Sequence, residues 1–239
     1  MKLAISNLAS SNTSDIARNV ALIECVFSKI GDIMKLDADQ VIAWQNSLPA
    51  NLTPYSVQSI TYGCGLQDFS YQPQNTAVVD KILELARALN LQRLVFGSPG
   101  IRKGPPDARM FAYIDEQLTG SNMVFCIEPN ARTYIGEYFF DVEEIAAFLS
   151  VHKFKNIATM IDTHNSWLEH RRTVDDIHVH RDVIQHVHAS ETNLQGFTSV
   201  DEHAAIAQAL DGIKYDHVVT LESHNLHGVE EFMKIYGSV

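Results

Sequence analysis

A chain of 239 residues, 46% hydrophobic and 20% charged, can bury one sizeable core, so a single domain over residues 1–239 is expected. Its 18 Lys and Arg against 29 Asp and Glu give a net charge of -11, which repels phosphate backbones and argues against nucleic acid as a partner. No apolar run approaches the roughly 18 residues a bilayer requires, and MKLAISNLASS lacks a basic region followed by a long apolar one, so a cytoplasmic protein with no membrane partner is expected.

In chain order, short apolar runs alternate with amphipathic stretches. The first strand is KLAIS, 2–6, and the second ALIECVF, 21–27; only a turn of helix around Ser14 to Asn19 fits between them, so the first helix is expected to be shortened. Next come a helix DADQVIAWQNSL, 37–48, opened by an Asp cap, and a strand YSVQSITY, 55–62. The helix TAVVDKILELARALN, 76–90, leads to the strand RLVFG, 93–97. The loop GSPGIRKGPPD, 97–107, carries Pro99, Pro105 and Pro106 and reads as an active-site loop. After the helix DARMFAYIDEQL, 107–118, stand the strand MVFCIE, 123–128, the helix VEEIAAFLSVHK, 142–153, and the strand IATMID, 157–162. The stretch RTVDDIHVHRDV, 172–183, reads as a helix whose His178 and His180 face different ways. The strand VIQHVHA, 183–189, the helix DEHAAIAQALDG, 201–212, and the strand HVVTLE, 217–222, complete the series. Eight such units predict an α/β chain closed into a parallel (β/α)8 TIM barrel with a shortened first helix. An open doubly wound sheet lacks support, because no Gly-x-Gly-x-x-Gly follows the first strand. Cys25, Cys64 and Cys126 are odd in number and widely spaced, which argues against disulfides.

In a β/α barrel the reacting groups stand at the C-terminal strand ends. Strand five ends at Glu128 in CIEPN, strand six at Asp162 in MIDTHN, strand seven at His188 in HVHASETN and strand eight at Glu222 in TLESHN. Singly, each has an ordinary reading: an ion pair or loop cap for a carboxylate, a hydrogen-bonded core position for a histidine. Gathered at one barrel mouth without a cation, the carboxylates would repel one another or hold protons. One divalent metal ion, Mn2+, Mg2+, Co2+ or Zn2+, suits three oxygen ligands supplemented by one nitrogen. His186 lies on the same side of its strand as His188 but deeper, and Glu24 can face the barrel interior.

The motifs CIEPN, MIDTHN, HVHASETN and TLESH, in this order, resemble those of the xylose isomerase-like barrels, and the resemblance covers essentially the whole chain. That family includes sugar phosphate isomerases and epimerases, ketose 3-epimerases, hydroxypyruvate isomerases and the endonuclease IV group. The resemblance implies that Glu128, Asp162, His188 and Glu222 are metal ligands and that Glu128 and Glu222 also move the proton. The implied activity is isomerisation or epimerisation of a small sugar, sugar phosphate or related hydroxy-carbonyl compound through an enediolate. Many epimerases of the family carry a histidine three residues after the strand-six aspartate and an arginine six after the strand-seven histidine; Asn165 and Leu194 stand there, with His164 adjacent to the first.

Candidate substrate contacts are Lys29, Arg132, His164, Trp167 and Glu191, all near strand ends, and Arg102 and Lys103 could bind an anion. The alternative activity is an endonuclease IV-like phosphodiesterase acting on abasic DNA, for which Asp201 and His203 resemble a third-metal pair. Against it, YSVQSITYG and LVFGSPG contain no histidine, and Asp201 and His203 also read as a helix cap and a packed first-turn histidine. A barrel without catalysis is a third reading. The flank left by the short first unit could be covered by a second subunit in a homo-oligomer.

Overall fold

The computed structural model describes residues 1–238. Eight parallel strands pair in sequence order and close on themselves. They are β1 (Lys2–Ser6), β2 (Leu22–Val26), β3 (Thr53–Gln58), β4 (Arg93–Phe96), β5 (Val124–Ile127), β6 (Ile157–Asp162), β7 (Ile184–Ser190) and β8 (Val218–Glu222). The helices are α1 (Thr13–Ala17), α2 (Ala38–Asn46), α3 (Pro73–Ala88), α4 (Ala108–Gln117), α5 (Val142–His152), α6 (Thr163–Leu168), α7 (Thr173–His180), α8 (Val200–Gly212) and α9 (Val229–Gly237). This is the expected (β/α)8 barrel, and α1 is the expected short first helix, capped by Asn12 accepting from the Ser14 backbone N–H.

Side-chain polarity at the helix starts sets where the helices begin. Asp37 and Gln40 form a reciprocal capping box on α2, and Asp141 accepts from the Glu144 backbone N–H at 2.8 Å on α5. Alternation along the strands then sorts the core. Leu94 and Phe96 of β4 and Phe125 and Ile127 of β5 face one helix-covered cluster, in which Phe111 packs edge-on against Phe125, Phe139 and Phe148. Val187 and Ala189 of β7 and Val219 and Leu221 of β8 face a second cluster, which α9 seals with Phe232 and Tyr236. The residues between them point into the barrel, where Arg93 donates from Nε to the Gln185 carbonyl at 2.9 Å across the interior.

Several boundaries differ from the sequence expectation. The strand expected over 55–62 runs instead over Thr53–Gln58, because Ser59 adopts a left-handed φ of 52° and turns the chain, its carbonyl accepting from the Tyr62 N–H at 2.9 Å. The helix expected from 76 starts at Pro73, a residue suited to the first turn. The helices α6 and α9 were not anticipated. Cys25, Cys64 and Cys126 are free thiols, as expected. No helix among the described residues is long and apolar enough to cross a membrane.

Candidate metal centre

The inward-pointing positions of four neighbouring strands converge at their C-terminal ends. Parallel pairing places Asp162 beside His188, and Ser190 beside Glu222. Glu128 follows β5 immediately. One ligand atom from each of Glu128, Asp162, His188 and Glu222 lies within 4.8 Å of all the others. His188 Nδ1 stands 3.2 Å from Glu222 Oε2, 3.6 Å from Glu128 Oε1 and 3.8 Å from Asp162 Oδ2. That nitrogen is fully buried and makes no hydrogen bond, and neither does Nε2 on the other side of the ring.

A buried nitrogen aimed at three carboxylates fits a divalent cation. Ligand atoms roughly 2.0–2.3 Å from one ion must lie within about 4.6 Å of each other, close to the spread seen here. The mixed oxygen and nitrogen donor set is compatible with the ions expected from the sequence and selects none of them.

Each of the four side chains is positioned by its surroundings. Asp162 Oδ1 accepts from the Asn165 backbone N–H at 2.7 Å and caps α6, while Oδ2 accepts from Ser190 Oγ at 2.9 Å. A Cβ on Gly97, at the end of β4, would lie 1.5 Å from Glu128 Oε2, so the glycine makes the space this carboxylate fills. His188 is backed by Glu24, whose Oε1 lies 2.9 Å from His188 Nε2. Glu24 Oε2 accepts from Ser56 Oγ at 2.7 Å and lies 3.0 Å from His186 Nε2. A neutral His188 with its proton on Nε2, towards Glu24, presents a bare Nδ1 to the cluster.

Without a cation, protons balance the charge. Burial, followed by the Glu128 and Glu222 carboxylates, pushes Asp162 well above the usual carboxylate range. Burial opposes protonation of His188, but Glu24 and Glu222 override it and hold its pKa well above that of an ordinary histidine. Burial would likewise raise Glu24, yet the His188 and His186 imidazoles keep it well below the carboxylate range.

Above the cluster opens a cavity of about 210 Å3, lined by Glu128, Asp162 and Glu222 together with Gln58, Asn130, Tyr134, His164, Asn165 and Leu194. Of the expected substrate contacts, His164 lines this cavity, its backbone N–H donating to Ser190 Oγ at 3.0 Å. The others are not among the residues that line it. Lys29 is turned out to solvent by the 3-10 turn Phe27–Lys29 that follows β2. Arg132 pairs with Glu169 at the surface and lies 4.4 Å over the Phe140 ring. Trp167 packs edge-on against His203, with ring centroids 5.3 Å apart. Glu191 accepts from the backbone N–H groups of Thr198 and Ser199, both at 2.6 Å, and from Ser199 Oγ. Burial would raise its carboxyl, but His203, Ser199 and Thr198 lower it to about 2, so it serves the loop before α8.

Arg102, expected as an anion contact, is completely buried and donates to the carbonyls of Phe96, Glu128 and Phe139. Asp201 is exposed in the first turn of α8, behind the cap residue Ser199, and His203 Nδ1 lies 2.8 Å from Tyr236 Oη in the core. Neither belongs to a potential metal group among the described residues. Gln58 and Asn130 were missed, although both stand at or just beyond strand ends and the rule that singled out Glu128 reaches them.

The family described as xylose isomerase-like TIM barrel matches residues 29–234. Among solved structures, AP endonuclease, family 2, from Brucella melitensis is similar with a TM-score of 0.77 at 19% identity, over 100% of this chain and 99% of that one. L-ribulose 3-epimerase gives 0.73 at 18% identity, over 100% of this chain and 86% of that one. D-psicose 3-epimerase from Clostridium cellulolyticum H10 gives 0.70 at 17% identity, over 99% and 90% respectively. No curated protein matches the chain significantly in sequence. At these identities the structural likenesses speak to the fold, whereas the family match extends from just past β2 into α9, and on that ground the chain belongs to the xylose isomerase-like TIM barrel family.

Proposed function

We propose that the protein is a divalent-metal-dependent isomerase or epimerase of a small sugar or related hydroxy-carbonyl compound. The observation that carries this reading is the entry of Glu128 and Glu222, at the ends of β5 and β8, into one cavity with Asp162 above the buried His188, all four ligand atoms lying within 4.8 Å of one another. The structurally similar L-ribulose and D-psicose enzymes are 3-epimerases by name. No lysine or arginine is among the residues lining the cavity, which favours a neutral sugar over a sugar phosphate.

Glu128, Asp162, His188 and Glu222 would hold the cation. When bound, it supplies charge that polarises a carbonyl and an adjacent hydroxyl and so acidifies the intervening C–H. One of the two glutamates takes that proton, leaving a planar enediolate. Return of a proton to the opposite face of the same carbon by the other glutamate gives the epimer; return to the neighbouring carbon gives the aldose-ketose isomer. Gln58, Asn130 and Asn165 offer amide groups to the remaining hydroxyls, and the loop residues Asn193 and Leu194 close one side.

The test is solvent exchange. The Mn2+-loaded protein incubated in D2O with D-fructose, D-tagatose, D-allulose or L-ribulose should place deuterium on carbon beside the carbonyl. Incorporation should stop on chelation and resume with Mn2+. Glu222→Gln should reduce exchange by roughly 100- to 10,000-fold with an unchanged melting temperature. Product formation without deuterium, or a fully active Glu222→Gln protein, would refute the proton-transfer route.

The endonuclease reading has the likeness to an AP endonuclease behind it. The site does not favour it: Asp201 and His203 lie away from the cluster and no cationic side chain lines the cavity.

A further inference from the structure

We propose that the substrate has two parts: a hydroxy-carbonyl group seated over the Glu128, Asp162, His188 and Glu222 cluster, and an uncharged apolar substituent, of the size of an aryl group, seated in a second cavity beside it. This rests on the metal-dependent reading of the first cavity.

The second cavity, of about 500 Å3, is bounded by the turn after β3, the loop after β4 and the segment around Tyr134. It shares Ser59, Gly97, Pro99 and Tyr134 with the cavity above the cluster, so one molecule can reach from one to the other. The first cavity, about 210 Å3, falls below the roughly 300–1,000 Å3 usual for small-molecule sites, whereas the second lies within that range.

Its walls specify the chemistry. Leu66, Ile101, Ile135, Tyr62 and Tyr134 present apolar and aromatic surface, and no charged residue lines it. Of the hydroxyl-bearing residues in the wall, Thr61 and Ser98 bond each other at 2.6 Å, and Ser59, Thr133 and the two tyrosines are neutral as well. Lys103 and Arg109, the nearby cations in sequence, line a different cavity. A phosphate ester or nucleotide would find no counter-charge here, whereas an aryl or alkyl group would find a matching surface.

The rim adds an independent observation. Tyr62 is 69% exposed, Ile135 78% and Tyr134 41%, three large side chains held in water around one opening. Clustered exposure of this kind marks a surface that binds something, and continuity with the metal cavity favours the far end of a substrate over a second copy of the chain.

Calorimetric titration of the full-length, Mn2+-loaded protein tests this with two neutral probes: hydroxyacetone, and its derivative in which a methyl hydrogen is replaced by benzyl. The benzyl compound should bind roughly ten- to hundredfold more tightly. A Cβ on Gly100 would meet only Ile135 Cδ1, at 3.7 Å, so Gly100→Leu fills the second cavity, and it should cut the benzyl preference to about threefold or less. Ile135→Asp, at an exposed side chain, should weaken the same preference without endangering the fold. Equal binding of the two probes overturns the inference and leaves the metal reading standing. A dimer in sedimentation that Ile135→Asp dissociates, together with equal probe binding, overturns it in favour of a second copy. Failure to bind Mn2+ overturns the metal reading and the inference together, whereas Mn2+ binding with no uptake of either ketone leaves the metal site standing and overturns the hydroxy-carbonyl substrate and the inference.

Discussion

Glu24→Gln removes one charge while keeping the shape of the side chain, and it tests how His188 is prepared for a metal. In the parent, one carboxylate oxygen faces His188 Nε2 at 2.9 Å, and the other meets Ser56 Oγ at 2.7 Å and His186 Nε2 at 3.0 Å. An amide has only one acceptor oxygen. If its NH2 turns to His188, Nε2 must accept, the ring proton moves to Nδ1, and the lone pair directed at the cluster is lost. If its oxygen turns to His188, the tautomer survives, but a neutral acceptor replaces a charged one and His186 faces an N–H donor. Partners of this kind typically contribute 10- to 100-fold to metal affinity, or about 1.4 to 2.7 kcal/mol. Calorimetric titration with Mn2+ or Zn2+ near neutral pH measures it, with Ser56→Ala as a control that disturbs Glu24 without reaching His188 and should change affinity by less than about threefold. A Glu24→Gln protein that folds normally and binds the ion as tightly as the parent would refute this account of His188.

Proton release gives a second test. The pKa values of Asp162 and His188 are both raised in the metal-free fold, and ligation requires both groups deprotonated, so binding should release protons near pH 7 and affinity should rise with pH. Titration in buffers of different ionisation enthalpy counts those protons; heats identical in every buffer would contradict the assignment. Glu24 runs the other way: its pKa is depressed by folding, so its contribution to stability is present above the unfolded carboxylate pKa and lost as pH falls through the folded one. Gly97→Ala should expel the Glu128 carboxylate, since the new Cβ would stand 1.5 Å from Oε2, and should cost about 1–3 kcal/mol of stability together with roughly tenfold or more in cation affinity. An alanine variant with parental affinity in the same titration would show that Glu128 is not a ligand.

The barrel was legible because both of its signals are local. Apolar runs such as IATMID and amphipathic stretches such as VEEIAAFLSVHK betray their period within a few residues, and the strand-end rule then draws Glu128, Asp162, His188 and Glu222 to one rim. What the sequence left open was direction rather than position. Lys29 and Glu191 each lie within a few residues of a strand end, but a 3-10 turn sends one to solvent and the backbone before α8 claims the other. Arg132 finds Glu169 and Trp167 finds His203, partners far along the chain that no pattern around the residue announces. Gly97 was hidden for a similar reason: its importance lies in the space it leaves to a side chain on the next strand. The turn at Ser59 was hidden as well, because a left-handed serine is not encoded in an apolar run.

The buried Arg102 changes what the proline-rich loop can be. Its guanidinium ties the loop to carbonyls at the ends of β4 and β5 and to Phe139, and it lies 4.8 Å over the Phe96 ring. Burial lowers its pKa, but only to about 10, so the charge persists across the physiological range. Swinging the loop outward would break three charge-assisted hydrogen bonds at once, each contributing roughly 1.5–3 kcal/mol, and would leave the Phe96 and Phe139 carbonyls only the Glu128 and Asn130 N–H groups, a penalty far larger than thermal motion supplies. The loop is therefore a fixed jamb of the doorway rather than a door. Whatever enters the cavity meets an entrance of fixed contour, and the main chain of Glu128, whose carbonyl accepts from the guanidinium, is held in place.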